Sequence, residues 1–184
     1  MIFLSASIPV PGREFYDTAD VVAIREAVMA FTKVCMEKRL QFYFGGHPAI
    51  TPLVWEVAKD YLRDEFKSLI HIYQSSWFLG KTPHEVDFFN NVVWTDAKET
   101  ILQSVDYMRN QMFLENETTI AVFIGGMKGI RDEYDLITKY YPDVKILPLA
   151  TTGAASESLY KELRMNNPDL CDNYSYVSIF RKYL

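Results

Sequence analysis

Short apolar runs along the chain alternate with stretches whose apolar residues recur every three or four positions. The first kind is typical of buried strands and the second of helices with one buried face. After Asp20, which can cap a helix, Ile24, Val28 and Phe31 follow the helical spacing. The pattern predicts strands at 2–7, 41–44, 69–73, 92–94, 119–124 and 145–149, helices over about 20–37, 51–63, 97–115, 130–141 and 157–165, and an edge strand or short helix at 174–180.

This order of elements predicts an α/β fold: a Rossmann-like, doubly wound, mainly parallel sheet with helices on both faces. A length of 184 residues suits one domain over 1–184. Ligands of such sheets bind beyond the carboxyl ends of the strands. The loops after Ser7, Phe44, Ile124 and Leu149 are therefore expected at one edge.

The loop before the 130–141 helix carries the strongest local motif. Glycines let a backbone approach a ligand, and the N–H groups that begin the next helix attract phosphate. A plain tight turn would give the same pattern. We expect a branched side chain at Gly126 to block binding and to leave melting nearly unchanged. The candidate ligand-binding residues of this loop are Gly125, Gly126, Met127, Lys128 and Gly129.

The first glycine loop along the chain, Gly45 and Gly46 followed by His47, shows the same arrangement after an earlier strand, and the loop at 125–129 is the second. A structural turn is again the alternative. His47 has no Cys or His partner at metal-ligand spacing, so we interpret it as a ligand contact. Small hydroxyl residues at other strand ends leave room for a ligand and can donate hydrogen bonds; these are Ser5, Ser7 and Thr152.

Arg109 and Glu133 are the charged candidates. Arg109 lies on a helix that otherwise turns apolar residues inward, and a guanidinium pairs well with phosphate. Glu133 is expected in the first turn of the helix after the second glycine loop, where a carboxylate can accept both hydroxyls of a ribose. An exposed arginine and an acidic residue placed by the helix dipole are the alternatives.

Charge and composition exclude several classes. The net charge of −5 and the lack of any Lys/Arg cluster argue against nucleic acid as a partner. No apolar stretch is long enough for a membrane span, and the N-terminus lacks the basic region of a signal peptide. Cys35 and Cys171 suggest free thiols in a reducing compartment, hence the cytoplasm. We expect no metal and no cofactor.

The two glycine loops, with Arg109 and Glu133, resemble those of the SLOG superfamily. That superfamily includes the LOG-type phosphoribohydrolases and the nucleotide-sensing domains of bacterial conflict systems. Glu133 falls where the family has its glutamate, and Arg109 where it has its arginine. Ile124, Ile130 and Asn110 replace the family's Pro, Thr and Lys. Residues 44–53, FGGHPAITPL, are more similar to divergent SLOG clusters near bacterial defence genes.

The resemblance implies two functions. The first is a sensor that binds a nucleotide-derived molecule, such as an ADP-ribose-like compound, and reports occupancy through a homo-oligomer or an effector protein. The alternative is a nucleoside 5′-monophosphate phosphoribohydrolase, or N-glycosidase, in which Glu133 and Arg109 are catalytic. A third interpretation is a structural domain that dimerises through the aromatic segment 77–89.

Overall fold

A computed structural model describes residues 1–62 and 68–184. Its centre is a six-stranded sheet in which every pairing is parallel. The apolar runs form the strands, as buried parallel strands require. The strands are β1 (Ile2–Ser7), β2 (Phe42–Gly45), β3 (Ile70–Ser75), β4 (Asn91–Thr95), β5 (Ile120–Gly125) and β6 (Lys145–Leu149).

The strand order, β4-β3-β2-β1-β5-β6, reverses direction at β1. β1 pairs with β2 on one side and with β5 on the other, and Ser7 lies opposite Gly125 at the carboxyl end of the second pairing. The connections therefore diverge beyond Ser7 and Gly125. Such a switch point leaves a crevice between adjacent loops, which is where ligands of this fold class bind.

Helices cover both faces of the sheet. On one face α1, α2, α6 and α7 pack with Leu4 in one apolar cluster, and on the other α3, α4 and α5 pack with Phe3 in a second. The predicted fold class is thereby confirmed. The helices are α1 (Val21–Glu37), α2 (Thr51–Leu62), α3 (Ile101–Glu115), α4 (Lys128–Tyr140), α5 (Ala154–Glu162), α6 (Pro168–Cys171) and α7 (Tyr176–Tyr183).

Two predicted helix starts are wrong. The third long helix begins at Ile101 and not near 97, because Thr100 caps it: its hydroxyl accepts from the Gln103 N–H, and the Gln103 side chain accepts from the Thr100 N–H. α5 begins at Ala154 and not near 157, so that Ser156 lies inside the helix and donates to the Phe123 carbonyl at 2.8 Å.

The C-terminal tail and the end of α2 are the remaining predicted elements. The tail forms the helix α7, and the short helix α6 before it was not predicted. The predicted end of α2 near residue 63 lies outside the described residues.

Within residues 1–62 and 68–184, none of the helices combines the length and the apolarity that crossing a membrane requires.

Candidate functional site

A cleft opens at the switch point, where the loops after β1, β2 and β5 meet. Its inner cavity of about 160 Å³ is bounded by the floor of β1, the end of β2, the start of α4 and one side chain of α3. It gathers most of the candidate residues in one place. Those that line it are Ser5, Ser7, Gly45, His47, Arg109, Met127, Gly129 and Glu133.

Glu133 lies at the centre of this cavity and is held from two sides. Its Oε2 accepts a short hydrogen bond from the hydroxyl of Ser5, and its Oε1 accepts from Arg109 Nε at 3.1 Å. The side chains of Arg109 and Glu133 are only 11% and 15% exposed. α4 begins at Lys128, so Glu133 lies in the second turn and not in the first as predicted. The Glu133 carboxylate is therefore a hydrogen-bond acceptor that is fixed in position and largely shielded from water.

The Arg109 guanidinium also faces two other carboxylates. Nη1 lies 3.4 Å from Asp132 Oδ2 and 3.7 Å from Asp106 Oδ1. Nη2 donates to the Gly129 carbonyl at 3.4 Å, and a Cβ on Gly129 would stand 2.6 Å from that nitrogen. Gly129 is therefore a glycine because the guanidinium lies against the backbone of α4.

The N-terminus of α4 can bind an anion. Its capping residue, Met127, makes no side-chain hydrogen bond to the helix, and the first backbone bond is from Ile130 N to Met127 O. In the described part of the chain, the N–H groups of Met127, Lys128 and Gly129 have no partner. Open N–H groups at a helix start and the helix dipole together favour phosphate.

The glycine pair before α4 has a different role. Gly125 donates its N–H to Thr152 Oγ1 at 2.8 Å, and Gly126 donates its own to the Ser7 carbonyl at 2.8 Å. Both glycines are buried, and neither borders the inner cavity. The Thr152 hydroxyl also donates to the Leu149 carbonyl at 2.6 Å. Gly125, Gly126 and Thr152 therefore join the loops after β1, β5 and β6, and their polar groups are not free for a ligand.

Backbone N–H groups of the first glycine loop are likewise hydrogen-bonded within the protein. Gly46 donates its N–H to the Tyr73 carbonyl at 3.1 Å, and Ala49 donates to His47 Nδ1 at 3.2 Å. The N–H groups of Ile50 and Thr51 both donate to the His47 carbonyl. The start of α2 is thus capped by His47, unlike that of α4.

His47 enters the cleft as a neutral imidazole. Burial lowers its pKa from 6.5 to about 4, because the charged form loses its hydration there. With Nδ1 accepting from Ala49, the ring proton lies on Nε2. His47 can therefore donate one neutral hydrogen bond near pH 7, but it offers no positive charge to a phosphate.

An apolar slot of about 220 Å³ adjoins the inner cavity and shares Gly45, His47, Arg109 and Glu133 with it. No sequence motif indicates this slot, because its walls come from β3, the following loop and α3, which are far apart in the chain. Its other lining residues are Gly46, Pro48, Gln74, Phe78, Lys81, Thr82, Pro83, Val105 and Met108.

Two larger but more open depressions differ in character. One of about 420 Å³ continues outward from the α4 N-terminus and is bordered by Gly12, Arg13 and Lys128. The other, of about 380 Å³, lies between α1 and the segment around Tyr174 and includes neither glycine loop. Of these four spaces, the cavity and the slot combine enclosure with converging polar groups, so we place the site there.

A protein-family model covers most of the chain. The model of the SLOG cluster3 family matches residues 14–184. The chain belongs to the SLOG cluster3 family. The resemblance inferred from the glycine loops is thereby confirmed, and the chain is a Rossmann-like, nucleotide-related module. A search among curated proteins finds no match to this SLOG chain.

Proposed function

We propose that the cleft binds a nucleoside phosphate or an ADP-ribose-like molecule and that the protein works as a recognition module for it. The observation that carries this proposal is the order of three environments in one continuous space. Open N–H groups stand at the α4 N-terminus, the fixed carboxylate of Glu133 lies in the middle, and the apolar slot follows. Phosphate, ribose and base require these environments in this order.

Each part of the ligand has a partner in this arrangement. A phosphate lies against the N–H groups of Met127, Lys128 and Gly129. The ribose hydroxyls donate to the remaining lone pairs of Glu133, and His47 donates from Nε2. Arg109 stands where the cavity meets the slot and balances the charge of Glu133 beside the bound anion.

The hydrogen bonds of Glu133 and Asn110 favour binding over hydrolysis. Both oxygens of Glu133 already accept a hydrogen bond, from Ser5 and from Arg109, which suits a rigid acceptor better than a group that must take a proton from water. Asn110 stands where LOG-type hydrolases have Lys, and its side chain is bonded to other parts of the protein. It accepts from the Tyr140 hydroxyl at 2.9 Å and donates to the Asp106 carbonyl.

The alternative function is an N-glycosidase or phosphoribohydrolase. The specific observation in its favour is the pre-formed pair of Arg109 and Glu133, with 3.1 Å between Nε and Oε1. In that mechanism Glu133 would stabilise the oxocarbenium-like ribosyl group, and Arg109 would orient the phosphate.

Glu133→Gln separates the two functions. A recognition module loses one charge-assisted contact to the ribose, so binding of adenosine 5′-monophosphate or ADP-ribose should weaken about ten- to hundredfold. The wild type should release no free base. Calorimetry and chromatography of the products measure both effects.

Glu157→Gln is the matched control. The Glu157 side chain is 35% exposed, pairs with Lys161 on the surface of α5 and borders neither the cavity nor the slot, so this variant should bind as the wild type does. Multiple turnover by the wild type that disappears in Glu133→Gln would make the hydrolase the better assignment.

A recognition module also needs a surface that reports occupancy. We propose that the segment 77–89 serves this purpose in a homo-oligomer or toward an effector protein. Phe78 and Pro83 line the slot, while Trp77 and Leu79 beside them are 37% and 61% exposed. A ligand in the slot therefore touches a segment that also presents Trp77 and Leu79 at the surface.

A further inference from the structure

Gln74 is a buried amide at the carboxyl end of β3, and it borders the apolar slot. Its residue surface is only 3% exposed. The walls of the slot are largely apolar, with Phe78, Pro83, Val105 and Met108 among them, and its other polar lining residues are His47, Lys81, Thr82, Arg109 and Glu133. A buried amide in a largely apolar wall favours a ring that presents a complementary polar edge to it.

The orientation of this amide is fixed by the first glycine loop. Gln74 Nε2 donates to the Gly46 carbonyl at 2.6 Å, so the NH₂ group points to the loop. A Cβ on Gly46 would collide with this nitrogen, and it would stand 2.7 Å from Ile72 Cγ2. A side chain at Gly46 would thus displace the Gln74 amide from this position.

The other end of the amide is free. Within the described residues, Gln74 Oε1 accepts no hydrogen bond, and the fully enclosed side-chain atoms without a partner are His71 Nε2 and Arg131 Nη1. Oε1 is therefore not sealed in the core. Because Gln74 borders the slot and is otherwise buried, the open side of Oε1 faces the slot.

From this geometry we infer that Gln74 selects a base with an exocyclic amino group, an aminopurine of the adenine type, by accepting a hydrogen bond from it. The inference rests on the proposed nucleotide binding. A 6-oxo base would place a second acceptor against Oε1, and a purine without a 6-substituent would leave Oε1 buried and unpaired. Either mismatch costs affinity without changing the shape of the ring system.

Three probes that differ only at position 6 of the purine test this inference on the wild type. They are adenosine 5′-monophosphate, inosine 5′-monophosphate and purine riboside 5′-monophosphate. We expect the first to bind at least about ten times more tightly than the other two. Equal affinity for all three would overturn the role of Gln74 but not the proposed function. If none of them binds, the proposed function and this inference both fall.

The variant Gln74→Met should bring the ratio of the adenosine and inosine affinities to about one, because it keeps the length of the side chain and removes the acceptor. Val105→Ala is the matched control, since it enlarges the slot without touching the amide. It should weaken both nucleotides alike and keep the wild-type ratio. A ratio that persists in Gln74→Met would also overturn the inference. The wild-type series decides the question even where that variant fails to fold.

Discussion

Gly126→Val should lower the free energy of unfolding by about 3–5 kcal/mol, a large part of the stability of an ordinary domain. Gly126 has a φ of +86°, a conformation that β-branched residues scarcely adopt. A Cβ there would overlap the side chain of Ile130, which is 2% exposed, so that Ile130 would have to leave its packed position. The structure therefore predicts a loss of stability where the glycine pattern alone predicts nearly unchanged melting.

Gly80→Val is the matched control for this effect. Gly80 has a similar φ of +73°, and a Cβ there meets nothing within 4 Å. It should cost only the backbone strain of about 1–2 kcal/mol. Urea denaturation of both variants gives the difference that comes from Ile130. Equal losses in the two variants would show that the contact with Ile130 does not matter.

Arg109→Met should reduce nucleotide binding about a hundredfold or more and also destabilise the fold by about 2–4 kcal/mol. The variant leaves the carboxylates of Glu133, Asp132 and Asp106 without their shared guanidinium. Glu133 then presents an uncompensated charge to the incoming phosphate. Denaturation and calorimetry on the same protein measure the two losses.

The double variant Arg109→Met/Glu133→Gln distinguishes these two losses. Removing the Glu133 charge should restore much of the lost stability, because the mostly buried carboxylate is no longer unpaired. It should not restore binding, since both groups at the centre of the cavity are then changed. Recovery of binding in the double variant would show that Arg109 acts only on the fold.

The order of strands and helices followed from the sequence because apolar runs and helical spacing report burial directly. Helix starts were harder to place. The capping pair of Thr100 and Gln103 is visible in the sequence, whereas Thr95 and Asp96 are equally good caps in isolation. α5 begins at Ala154, a residue with a positive φ of 55° that no local pattern indicates.

The site was only partly predictable for a related reason. Arg109 and Glu133 could be proposed from their types and from the resemblance to SLOG proteins, but their direct contact depends on how α3 packs against α4. Glycine patterns also do not reveal what the glycine accommodates. At Gly126 it is Ile130, and at Gly46 it is the amide of Gln74.

The most direct test of the central claim is a titration of the wild type with adenosine 5′-monophosphate, followed at the backbone amides by NMR. The account predicts saturable shifts of the Met127, Lys128 and Gly129 amides, whose N–H groups are open at the start of α4. Adenosine, which has no phosphate, should leave these amides nearly unchanged. The Ala49 amide, which is bonded to His47, should respond less to the phosphate. Saturable binding that leaves Met127, Lys128 and Gly129 unshifted would contradict the account.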